Sequence, residues 1–276
     1  MAKGREIKLP LPAADDLFST QEERDEAKRE FIADIPLTEI SDFPDHPYKV
    51  KQDESMLELA ASIREKGVVN PALVRPKPEG GYEMVAGHRR KFASELAGKT
   101  NMPCIVRNLT DDEATIIMVD SNLQREKVLP SEKAFAYKMK LDAMKRQGQR
   151  TDLTSTPVEQ KLSKYSVEIL GEVVGESRSQ IQRYIRLTEL IPPILDMVDE
   201  GKIAMRPAVE LSYLPKEQQQ ILFDTMELED CTPSHAQAIK MRKFAEAGKL
   251  NEDVILSIMT EEKPNQVEQF KIPKKR

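Results

Sequence analysis

Two short stretches of this chain hold residue types whose spacing could do chemistry. The first, Val85 to Gly98, reads VAGHRRKFASELAG, with Arg89 and Arg90 directly after Gly87 and His88 where an extended run gives way to a helical one. A helix N-terminus offers exposed N–H groups, a glycine permits close backbone approach, and guanidinium forks pair with phosphate oxygens. Consecutive helical residues point about 100° apart, so adjacent arginines converge on one target only at a helix start. The pattern suits a polyphosphate, and a surface helix with two solvated arginines is the competing reading.

The second stretch, SVEILGEVVGESRSQIQRYIRLTEL, has a helix-turn-helix layout, with a turn at Gly175 and a second helix capped by Ser177. Ile181, Ile185 and Leu187 take its inward positions. That leaves Arg178, Ser179, Gln180, Gln182 and Arg183 beside the Ser177 cap, along the half of a recognition helix that enters the major groove. Arg and Gln read guanine and adenine edges bidentately. An ordinary helical hairpin with a polar face would show the same spacing. From Lys138 to Arg186 there are ten Lys and Arg against six Asp and Glu, a basic segment in a chain of net charge −5. The total argues against indiscriminate coating of nucleic acid, while the local field favours a site. A third stretch, DSNLQREKVLPSEKA, gathers Asn122, Gln124 and Arg125 before Pro130 and by itself reads as a polar hinge.

The elements that must position these residues follow from the hydrophobic pattern. A chain of 276 residues accommodates about two domains. Hydrophobic residues at 39%, charged residues at 32% and the lack of tryptophan describe a soluble protein with aliphatic, helix-rich cores. Cys104 and Cys231 have no partner spacing, and the opening MAKGREIKLPLPAADD lacks the apolar core of a signal peptide, so a cytoplasmic protein without membrane contact is expected. His46, His88 and His235 form no ligand cluster.

Residues 1–30 read as a polar tail. Over 31–118 short strands alternate with helices, as in an α/β or α+β domain. Met56, Leu59, Ala60 and Ile63 share a helical face between an Asp53 N-cap and a terminating Gly67. ALVRP and YEMVA form a hairpin across EGG, and MPCIVRNL supplies a further strand. Beyond Asp111 the strand signals stop. An all-α domain is expected over 119–230, then a helical pair and polar end over 231–276.

In this order the stretches resemble the boxes of the ParB family of chromosome and plasmid partition proteins. SIREKGVVNPALVR is similar to the family's first box, GHRRKFASELAG to its arginine-rich box, and SNLQREKVLPSEKA to its third. The helix-turn-helix and EGKIAMRPAVELSYL fall where the family has its specific DNA-binding domain, so the resemblance runs from about Phe31 to Met226. It implies an α+β N-terminal ParB/sulfiredoxin-like nucleotide-binding domain followed by an all-α helix-turn-helix domain. It also implies CTP with Mg²⁺: Gly87, Arg89 and Arg90 at the phosphates, Gly67, Asn70 and Pro71 near the cytosine, Asn122 at the metal, and Arg125 on the phosphate side. The implied function is loading at a palindromic, parS-like double-stranded DNA site and CTP-driven closure of a sliding homodimeric clamp. That clamp engages a ParA-type ATPase at the nucleoid. An operator-binding repressor on the same scaffold is the alternative.

The sequence departs from the family in places. His88 and Ser121, within the nucleotide boxes, stand where glutamates are usual, which removes carboxylates able to ligate Mg²⁺ or position water. CTP binding is therefore expected, and weak CTP hydrolysis is left open. Asp120 offers a carboxylate one residue earlier, rotated about 100° around the helix. Asn70 replaces a common glutamine and shortens a base contact. The family's separate C-terminal dimerisation domain has no counterpart after about residue 261, so dimerisation uses other surfaces or a domain beyond this sequence. An enzyme of the sulfiredoxin type would need a cysteine beside the histidine-arginine pair, which AGHRR lacks.

Overall fold

The computed structural model describes residues 31–44, 46–48, 52–123, 128–151 and 159–261. The chain divides into two units, Met1–His46 with Val50–Thr110, and Pro47–Lys49 with Asp111–Arg276.

The first unit is built on a five-stranded mixed sheet of order β1-β5-β3-β4-β2. Its strands are β1 (Phe31–Pro36), β2 (Ile40–Ser41), β3 (Ala72–Pro76), β4 (Tyr82–Ala86) and β5 (Asn101–Val106). The β3–β4 hairpin is antiparallel, pairing Arg75 with Glu83, and β3 runs parallel to β5 with Ala72 opposite Cys104. β5 stops at Val106, short of the stretch read from the sequence, because its ladders end there, against Phe31 on one side and Val74 on the other. Ile35, Val74, Met84, Met102 and Cys104 form the core under the sheet.

Among the described residues, two helices complete this unit, α1 (Glu54–Lys66) and α2 (His88–Leu96). Asp53 caps α1 by accepting from the Met56 N–H at 3.0 Å, and Gly67 ends it. Met56, Ala60 and Ile63 are buried against Ala93 of α2, with Leu59 half-buried beside them, so the face read from the sequence is the packed face.

Among the described residues, the second unit is all helical: α3 (Asp111–Leu123), α4 (Pro130–Thr151), α5 (Glu159–Val174), α6 (Arg178–Leu187), α7 (Pro192–Asp199), α8 (Met205–Leu211), α9 (Lys216–Leu228), α10 (His235–Glu246) and α11 (Glu252–Met259). Leu187, Ile194, Leu211, Leu222, Met241 and Ile255 are central to its larger core. A smaller one joins Tyr137 and Leu141 of α4 to Val167, Leu170 and Ile181. The fully buried Gln219 meets its hydrogen-bonding needs inside this core, as a dry interior demands. Gln219 accepts from the Ile191 N–H at 2.8 Å and donates to the Leu214 and Glu189 carbonyls at 2.9 and 3.1 Å. The start of α4 is held when Ser131 donates its N–H and hydroxyl to Asp199 at 2.9 and 2.5 Å. Among the described residues, no helix is long and apolar enough to cross a membrane.

Candidate functional site

In the first unit, β4 runs into Gly87, whose φ of +117° belongs to the left-handed region, and α2 begins at the next residue without a side-chain cap. A Cβ at Gly87 would lie 2.8 Å from the Ala72 Cβ, so packing as well as backbone conformation requires glycine there. The first turn of α2 thus presents its positive dipole end without a capping side chain.

Arg89 Nη2 donates to Ser55 Oγ at 2.6 Å, and Ser55 Oγ donates to Asp53 Oδ1 at 3.0 Å. The Ser55 hydroxyl, then the Met56 N–H, hold the Asp53 carboxyl below its ordinary range. Arg89 therefore links the start of α2 to the start of α1. Arg90 behaves differently, because its Nη1 donates to the Asn70 and Pro71 carbonyls at 2.5 and 2.6 Å. Burial lowers the Arg90 pKa from its usual value, with the nearby Cys104 acting in the opposite sense. The Cys104 thiol is itself pushed up to about 11 by burial.

The structure thus brings Asn70, Pro71, Gly87 and Arg90 together, with Gly67 opening the loop that leads to Asn70. Asn70 is exposed and Pro71 half-buried. His88 is buried, its ring 3.9 Å between centroids from His46 and tilted by 49°, a pairing that the wide sequence spacing of the histidines gives no sign of. Lys91, one turn into α2, pairs with Asp42 at 2.7 Å.

Ser121 and Asn122 belong to the second unit, at the end of α3. Ser121 is exposed with its hydroxyl on the Met118 carbonyl at 2.9 Å. Asn122 is buried, its amide nitrogen turned back onto the same carbonyl at 2.8 Å. Arg125 lies outside the described residues. Asp120 pairs with Lys140 of α4, so the carboxylate beside Ser121 already has a cationic partner. Among the described residues, no three His, Cys, Asp or Glu gather as a metal site. Mg²⁺ ordinarily takes one or two carboxylates beside phosphate oxygens, and this donor set does not fit that requirement.

The helix-turn-helix is formed by α5, the turn at Gly175 and α6. Ser177 caps α6, accepting from the Gln180 N–H at 3.2 Å. Ile181 and Leu187 are fully buried and Ile185 half-buried. Ser177, Arg178, Ser179, Gln182 and Arg183 are exposed, and Gln180 is half-buried. Arg178 approaches Glu168 at 3.7 Å, an acidic neighbour that the spacing alone does not reveal.

Other residues that shape this motif escaped sequence reasoning. A Cβ at Gly171 would sit 2.7 Å from the Glu176 carbonyl oxygen, and the Glu176 N–H bonds the Gly171 carbonyl at 3.1 Å. The turn therefore closes on Gly171, and the available signal was a glycine one helical turn before Gly175. Lys133 pairs with Glu176 at 2.7 Å and lies 5.1 Å from the Tyr184 ring centre, tying α4 to the turn and to α6. Arg186 donates to the Ser212 hydroxyl and carbonyl at 3.1 and 2.8 Å and stacks on Tyr213, as does Arg242 of α10. These contacts brace α6 from behind, leaving its first turns exposed.

Comparison with known proteins follows the same division. The ParB N-terminal domain matches residues 21–123, and the ParB HTH domain matches residues 158–241. The probable chromosome 1-partitioning protein ParB of Deinococcus radiodurans is 34% identical over 212 residues, covering 77% of this chain and 66% of that protein. The nucleoid occlusion protein of Geobacillus thermodenitrificans is 31% identical over 210 residues, covering 74% of this chain and 68% of that protein. A C-terminally truncated chromosome-partitioning protein ParB from Caulobacter crescentus, crystallised with CTP-gamma-S, aligns with a TM-score of 0.33 at 27% identity, covering 71% of this chain and 99% of that one. The chain spans between 50% and 66% of the length of the first four ParB and Spo0J partition proteins it matches. With both ParB domains present in that order, and relatives at this identity along most of its length, the chain belongs to the ParB family.

Proposed function

We propose that this chain is a partition protein that binds CTP in its first unit and a specific double-stranded DNA palindrome through α6. The observation that carries this reading is the start of α2. It is an uncapped helix N-terminus on a sterically required glycine, with the Arg89 guanidinium beside it. Such an end favours anions, and its N–H groups with the Arg89 fork would take the phosphates. The loop from Gly67 through Asn70 and Pro71 would face the base. Ser177, Arg178, Ser179, Gln180, Gln182 and Arg183 would meet phosphates and base edges in the major groove. A palindromic site calls for two-fold symmetric copies of the chain, hence a homodimer.

CTP binding would close this dimer as a sliding clamp on DNA, and a ParA-type ATPase would act on the loaded complex at the nucleoid. His88 and Ser121 supply no carboxylate at the two positions where the family's glutamates stand. We therefore assign no hydrolytic step, and the clamp would reopen when CTP dissociates. Mg²⁺ would enter with the triphosphate, on its phosphate oxygens. The reading is tested by titrating each of the four nucleoside triphosphates, in labelled form, into the protein with and without cognate DNA. Saturable, CTP-selective binding supports it, and equal binding of all four nucleoside triphosphates refutes it.

A second reading is DNA binding without segregation, as in an operator-binding repressor. It draws support from the relatives' names, which divide between partition and nucleoid occlusion at similar identity. Genome-wide mapping separates the two: broad occupancy around one locus marks partition, and narrow peaks at promoters mark repression.

A further inference from the structure

We infer that Arg90 is a positioning residue that sets base selection, holding the base-side loop in one conformation rather than neutralising phosphate. This inference rests on the proposal that the first unit binds CTP. Arg90 follows Arg89 by one residue, yet the two side chains leave α2 in different directions. Arg89 reaches Ser55 at the start of α1, whereas Arg90 Nη1 bonds the carbonyls of residues 20 and 19 positions upstream, Asn70 and Pro71. Arg90 Nη2 would be 3.2 Å from a Cβ at Gly87, so the guanidinium fork is packed between Gly87 and the Asn70–Pro71 backbone. The absence of a side chain at Gly87 is part of what makes room for it.

A guanidinium held this way fixes two successive peptide planes. Each carbonyl keeps a second lone pair, and the direction of that lone pair is set by the first bond. Cytosine and uracil differ where cytosine carries an amino donor and uracil a carbonyl acceptor. A backbone loop of fixed orientation discriminates between them, because a mismatched base leaves its polar groups unpaired. A loop free to turn its peptides adapts to either base. The charge on Arg90 is secondary here, and burial already works against it.

The test measures equilibrium binding of CTP, UTP and inorganic tripolyphosphate to the full chain and to two variants. Arg90→Met keeps the aliphatic stem and removes the donors. It should lower the CTP-to-UTP affinity ratio about tenfold while leaving tripolyphosphate binding within about twofold. Arg89→Ala should weaken all three ligands together and leave the ratio unchanged. Arg90→Met weakening all three ligands equally would make Arg90 a phosphate ligand and overturn the inference, as would an unchanged ratio. If Arg90→Met fails to fold by thermal melting, Arg90→Lys replaces it, since lysine keeps the charge but loses the planar fork. A reduced ratio with Arg90→Lys supports positioning, and an unchanged ratio refutes it. Failure of the unmodified protein to bind CTP refutes the nucleotide reading itself, a result distinct from either variant outcome.

Discussion

Asp120 holds its carboxylate on the ammonium of Lys140, a side chain only 5% exposed on α4. A buried ammonium without a partner is costly, so this carboxylate is committed to structure. It sits one residue before Ser121, at the place where a substitute for the family's glutamate would be sought, and the ion pair turns it toward α4 instead.

Asp120→Asn should therefore act on stability. Because Asp120 is partly exposed, the loss is set at about 1–3 kcal/mol, below the cost of breaking a fully buried pair. Denaturant unfolding of the second unit measures it. An unchanged midpoint would mean that Lys140 is satisfied without Asp120.

Gly171→Ala should disrupt the helix-turn-helix, since its methyl would meet the Glu176 carbonyl at 2.7 Å. Overpacking against backbone costs about 1–3 kcal/mol, and affinity for the cognate DNA should fall with it. At Gly175 a Cβ meets nothing within 4 Å, and only the positive φ of 69° opposes a side chain. Gly175→Ala should cost about 1 kcal/mol. Thermal melts and fluorescence anisotropy on the two variants check the order, which would be reversed if the turn glycine were the tighter constraint.

How much of this was legible in the sequence depends on the range of the interaction. The α1 face, the Asp53 and Ser177 caps and the β3–β4 hairpin were readable because each is set within a few residues. The α+β unit followed by helices was legible for the same reason. The division of labour between Arg89 and Arg90 was not, since one partner lies 34 residues away and the other 20. Nor were the tilted His46–His88 ring contact, the Lys133–Glu176 tie or the Asp120–Lys140 pair, whose partners lie far apart in sequence.

Gln182→Ala and Arg183→Ala should each weaken cognate DNA binding by about 1–3 kcal/mol if their side chains reach base edges. Arg178→Ala should cost less, because Arg178 must first leave Glu168 at 3.7 Å. Glu168→Gln should tighten binding slightly by removing that competitor. Anisotropy at fixed salt measures all four, and an Arg178 effect larger than that of Arg183 would contradict the competition.

Cys104 should resist alkylation while Cys231 reacts. Burial holds the Cys104 thiol at about 11, so at pH 8 only about one molecule in a thousand carries the thiolate. Cys231 is half-buried. Mass spectrometry after brief iodoacetamide treatment should show Cys231 modified first, with Cys104 following only under denaturant. Early modification of Cys104 would mean that the sheet core opens readily.

The most direct test of the central claim is equilibrium competition of the four nucleoside triphosphates against labelled CTP on the full chain, with Arg89→Ala in parallel. The account predicts that unlabelled CTP alone displaces the probe efficiently and that Arg89→Ala loses about tenfold or more in affinity, as removal of a charge-assisted bond would. Equal displacement by all four nucleotides, or an Arg89→Ala variant that binds CTP as the unmodified protein does, would contradict a CTP site at the start of α2.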